Sequence, residues 1–163
     1  MRTRLASHLG SRQVARVIYG AIVGLALVVA LEGYPRTAGQ MIGWLLGTAV
    51  AVALAEFYSE VVGTETSERH RVTRHQLRHM FDDAAAVAFG GAFPAVFFLL
   101  AAVGVIRTEA AFALAKRGGF VLIGFYGYWA ARFSGASVLR SLAQAGLVGL
   151  VAAFLIVLKA ALH

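Results

Sequence analysis

The chain has no cysteine, so a disulfide, a thiolate-bound metal and thiol redox chemistry are excluded. It is also short of charge. Asp, Glu, Lys and Arg together make up 14% of its 163 residues, and lysine occurs only at Lys116 and Lys159. No glycine-rich phosphate loop, nucleophile elbow or His-Glu-x-x-His zinc motif is present, so nothing in the pattern points to an enzyme. Ser134, Ser137 and Ser141 cluster near an expected helix start, where hydroxyls cap rather than catalyse. The net charge of +7 does not indicate nucleic acid either. The arginines lie between the apolar blocks or just inside them, which is how membrane proteins fix orientation.

What the chain does have is apolar residue, at 60% against the roughly 45–50% of a soluble domain. The excess falls into blocks of helical length, each able to cross a hydrocarbon core of about 30 Å. The expected fold is an all-α integral membrane protein forming a single transmembrane domain over 1–163. Its five transmembrane helices are expected at about 14–31, 41–62, 84–106 (interrupted at Pro94), 118–131 and 142–162. An interfacial lead-in is expected before the fourth, from about Thr108. A connection at 64–83 continues the second helix beyond the membrane. Arg2, Arg4, Arg12 and Arg16 before an apolar run resemble a signal peptide, but no small-x-small cleavage site follows, and an uncleaved first span is expected.

Counting Lys and Arg in alternate segments puts ten on the side of the N-terminus and five on the other. By the positive-inside bias the N-terminus is cytoplasmic and the C-terminus outside. Ala/Gly/Arg-rich, Lys-poor usage points to a bacterial plasma membrane. Small residues recur in the spans at Gly20/Gly24, Gly43/Gly47, Gly90–Gly91 and Gly146/Gly149. Such residues let helix backbones approach in lipid, within one chain or across a homodimer seam.

The candidate chemistry is confined to a few polar side chains. Glu56 and Glu60, four apart, share one face of the second helix. From Met41 they lie roughly 22 and 28 Å along it. Glu56 is therefore inside the membrane and Glu60 near its boundary. A carboxylate at that depth can bind a cation, exchange a proton, or pair with an arginine such as Arg16 or Arg132. In the connection, Glu65–Arg69 and Glu68–Arg71 are spaced as surface ion pairs. His75 and His79 share a helical face with Asp82 or Asp83 one turn on, a weak transition-metal pattern. The same basic helix also suits anionic headgroups.

Four stretches, in order, resemble the vacuolar iron transporter family of divalent-cation/proton antiporters. They are YGAIVGLAL (19–27), LAEFYSEVVGTETSER (54–69), AFGGAFPAVFFLL (88–100) and GYWAARFSGASVLRSLAQAGLVGLVAAFLIVL (127–158). The resemblance implies a homodimer in the bilayer, with a path between protomers lined by the first two helices. It also implies a divalent cation such as Fe²⁺ or Mn²⁺ as substrate, moved in exchange for protons, with no resident cofactor. The family's second-helix Glu falls on Glu56, with Glu60 at the cytoplasmic mouth and Glu65 and Glu68 remaining from a cytoplasmic collecting domain. The family's first-helix Asp falls on Val23 and its Met on Val52, so both are replaced here. The alternative is a transport-inactive relative acting as a membrane scaffold or partner subunit.

Overall fold

The computed structural model describes residues 13–34 and 36–133, with Ala143, Gly146, Leu150 and Phe154 as isolated helical positions beyond them. The described residues are all-α, with no strand. Five helices follow one another: α1 Gln13–Leu31, α2 Ala38–Glu68, α3 Arg74–Ala92, α4 Ala95–Ala102 and α5 Thr108–Phe133. Two of them, α1 and α2, are long and apolar enough to cross a membrane, and α3 with α4 makes a third if the bent pair counts as one span. The expected fifth span at 142–162 lies outside the described residues, apart from those four isolated positions within it.

The helix ends are set by capping chemistry, and this moves them from the edges of the apolar runs. Thr37 accepts from the Gln40 backbone N–H at 3.2 Å, while the Gln40 side chain accepts from the Thr37 N–H at 3.1 Å. This reciprocal box satisfies two N–H groups that a helix start otherwise leaves bare, and α2 therefore begins at Ala38. Thr73 and Gln76 repeat the arrangement at 3.3 and 2.9 Å, so α3 begins at Arg74, ten residues before its apolar run. Between them α2 ends on Arg69 in the left-handed region, at φ 55°. The connection is thus reduced from the expected 64–83 to a five-residue elbow. At 31 residues α2 is about 46 Å long and overreaches a hydrocarbon core of about 30 Å.

Pro94 removes a backbone donor between α3 and α4, and the axis bends there by 49°. Gly104, at φ 79°, closes α4 with the left-handed turn that glycine makes at least cost. The expected interfacial lead-in before the fourth span is instead the first half of α5. It is packed in the core because Ala111, Phe112 and Ala115 present a small-large-small surface to α4.

Packing in the bundle depends on glycine. A Cβ on Gly20 would overlap the Val87 carbonyl oxygen, one on Gly24 would meet Gly91, and one on Gly90 would overlap Val17. The backbones of α1 and α3 therefore touch, as small residues allow in lipid. Around Val28, Met41 and Leu45, α4 and α5 add Ala95, Phe98, Ala111 and Phe112, with the two phenyl rings edge to face at 4.9 Å. Further toward the start of the same stripe of α1, Ile123 of α5 packs on Ala21 and Leu25, so α5 runs antiparallel to α1. Large apolar side chains including Trp44, Leu54, Tyr58, Phe89 and Val121 stand more than half exposed around the outside.

Candidate functional site

The inward stripe of α2 runs Met41, Leu45, Ala49, Val52, Glu56, Glu60, at helical spacings of three and four. Its first three members are buried, and the last three are partly so. The two carboxylates therefore continue the core face of the helix. Across from them, in the first turn of α1, stands Arg16. One guanidinium nitrogen, Nη1, pairs with Glu56 Oε1, and the other, Nη2, donates to Glu60 Oε2 at 3.4 Å. The fork of a guanidinium suits two acceptors one helical turn apart, whereas a lysine would serve one at a time. The three side chains are only 21–25% exposed, so solvent screens them weakly. One positive charge against two negative leaves the cluster at −1.

One turn further into the bundle the lining becomes apolar. Val23 of α1 and Val52 of α2 meet in a seam closed by Gly20, Gly24, Ala49 and Gly91, with Thr48 supplying its single hydroxyl among the described residues. The two positions that the family resemblance assigns to metal ligands are thus adjacent in space. Both carry side chains that can coordinate nothing.

The remaining sequence candidates are dispersed. Glu65 accepts from the Val72 N–H at 3.2 Å, and Glu68 accepts from the Gln76 side chain at 3.1 Å while lying 3.0 Å from His70. The spacing had paired Glu65 with Arg69 and Glu68 with Arg71. Neither pair forms, because the left-handed turn at Arg69 takes the chain out of helical register and the carboxylates brace the elbow instead. His75 and His79 are exposed, their rings edge to face at 4.5 Å. Asp82 lines an open cleft with Gln13, Val17, Phe89 and Tyr126, whereas its neighbour Asp83 is buried at 9% exposure between α3 and the rest of the bundle. Among the described residues no three of His, Asp and Glu converge as a metal-ligand set.

Arg16 is the residue that turns two acids into a site, and the sequence named it only as one of two partners for Glu56. The side chain of Arg132, the other, lies outside the described set. Sequence reading missed a second charged contact, in which Lys116 donates to both Glu32 carboxylate oxygens at 2.6 and 2.8 Å. It joins the far end of α1 to α5. Its residues are 84 apart in the chain, so no local spacing could reveal it. The chain matches no protein-family model, no curated protein and no protein of known structure.

Proposed function

We propose that the chain is a transport-inactive relative of the vacuolar-iron-transporter type, serving as a membrane scaffold or partner subunit. In this reading it has five spans in a bacterial plasma membrane, with its N-terminus cytoplasmic and its C-terminus outside. The observation that carries the reading is Arg16 bridging Glu56 and Glu60. A carboxylate that couples ion movement must be open to its cation, and here the same guanidinium occupies both. The valine seam below supplies no ligand for an ion to reach next. Arg16, Glu56 and Glu60 act as a lock between α1 and α2.

The partner surface of this scaffold is the outward face of α2, and the partner is a second copy of the chain. Gly39, Gly43, Gly47 and Ala51 recur every four residues opposite the inward stripe and are all exposed. A side-chain carbon added at Gly39, Gly43 or Gly47 would meet nothing within 4 Å. Such a track permits close backbone approach between two helices in lipid.

One observation favours a second reading, divalent-cation/proton antiport. The cluster keeps one negative charge beyond its arginine, and its side chains are not sealed from solvent. Uptake of Fe²⁺, Mn²⁺, Co²⁺ or Zn²⁺ into proteoliposomes under an imposed proton gradient separates the two. The scaffold reading expects flux no greater than in protein-free vesicles, for the parent and for Glu56→Gln alike. Saturable uptake by the parent that Glu56→Gln abolishes would overturn it in favour of antiport.

A further inference from the structure

We infer that the elbow between α2 and α3 is a binding surface for anionic phospholipid headgroups, with Arg74 and Arg78 as its phosphate-facing residues. The inference rests on the placement of α1 and α2 across a bilayer, but not on whether the chain transports. Arg69, Arg71, Arg74 and Arg78 are all exposed, and none makes an ion pair among the described residues. The nearby acids are engaged elsewhere. Glu65 and Glu68 brace the elbow and Asp83 is buried, while Asp82, one turn beyond Arg78, is exposed and lines the open cleft beside Gln13. The elbow thus presents four exposed guanidinium groups against one exposed carboxylate not engaged in bracing it.

Geometry selects lipid over a soluble anion. Arg74, Arg78 and Phe81 stand at i, i+4 and i+7 of α3, on one face and opposite its buried stripe of Met80, Asp83, Ala84 and Val87. Phe81 is 65% exposed and Leu77 beside it is 38% exposed. Along the helix axis Arg78 stands about 4–5 Å, and Arg74 about 10 Å, beyond Phe81. A headgroup layer is about 5–7 Å deep on each side of the hydrocarbon. With Phe81 at the acyl boundary, the Arg78 backbone lies inside that layer and the Arg74 backbone about 3–5 Å outside it, a distance its long side chain can span back to the phosphates. An apolar anchor below two unpaired arginines matches a lipid, which has an acyl chain beneath its phosphate. Inorganic phosphate has no use for Phe81.

The test is native mass spectrometry of the full chain in detergent, with equimolar phosphatidylglycerol and phosphatidylcholine of identical acyl chains. The parent is expected to retain phosphatidylglycerol over phosphatidylcholine by about fivefold or more, the preference that one basic residue at a membrane surface supplies. Replacing Arg69, Arg71, Arg74 and Arg78 by Gln should bring the ratio close to one, and replacing all four by Lys should keep most of it. Both variants should still partition with membranes, which keeps loss of lipid preference distinct from loss of the spans. A parent with no preference, or a Gln variant that keeps the parent's ratio, would overturn the inference. So would displacement of the lipid by millimolar inorganic phosphate, which would assign the arginines to a soluble anion.

Discussion

Replacing Arg16 by Gln should destabilise the bundle more than any other single change at a polar residue of the described structure. In the parent, one guanidinium offsets two carboxylates that are nearly four-fifths buried. The variant leaves Glu56 and Glu60 facing each other one turn apart, beside an apolar seam, with no cation. Breaking a fully buried pair costs about 3–5 kcal/mol, whereas a fully exposed one contributes about 0–1. At 21–25% exposure the expected loss lies between, at about 2 kcal/mol. Repulsion between the two freed carboxylates adds a few tenths more. Unfolding by sodium dodecyl sulfate titration in mixed micelles, followed by the fluorescence of Trp44 and Trp129, gives the number. Glu56→Gln alone should cost less, because Arg16 keeps Glu60, and the double variant should recover part of the loss. An Arg16→Gln variant within about 0.5 kcal/mol of the parent, and additive with Glu56→Gln, would refute the lock.

Two further outcomes follow from glycine and from capping. Gly20→Ala or Gly90→Ala should cost about 1–3 kcal/mol by forcing α1 and α3 apart, whereas Gly43→Ala and Gly47→Ala should leave monomer stability within about 1 kcal/mol, both read by the same titration. Thr73→Ala should cost about 1 kcal/mol and fray the start of α3, seen as faster amide exchange over 74–77 with the rest of α3 unchanged.

Hydropathy placed the described apolar blocks on helices but located the helix ends poorly, because it reports which residues lipid tolerates rather than where a backbone donor finds a partner. The first turn of α2 and the first ten residues of α3 are polar or mixed. They are helical because Thr37–Gln40 and Thr73–Gln76 cap them. Both boxes are visible in the sequence as Thr-x-x-Gln, so this part was legible but unread. The shared face of Glu56 and Glu60 follows from spacing alone. That Arg16 serves both is a tertiary fact, as is the contact of Lys116 with Glu32. The glycine pairs divide in a way that no sequence count could foresee. Gly20/Gly24 and Gly90–Gly91 are consumed by the α1–α3 contact, while Gly43 and Gly47 are left facing outward. The Val23–Val52 seam was legible as two missing ligands, but only the fold shows that the valines meet.

Helix α1 is fastened at both ends by ion pairs: Arg16 to α2 at one, Glu32 to α5 at the other. Sixteen residues separate the two fastenings, about 24 Å of helix. In the proposed bilayer placement, a helix held in this way cannot slide along its axis to suit a thicker or thinner membrane without drawing a charge into hydrocarbon or breaking a contact. Hydrophobic mismatch would then be absorbed by tilt of the bundle or by deformation of the surrounding lipid. On that placement the two pairs make α1 a fixed-length gauge of membrane thickness.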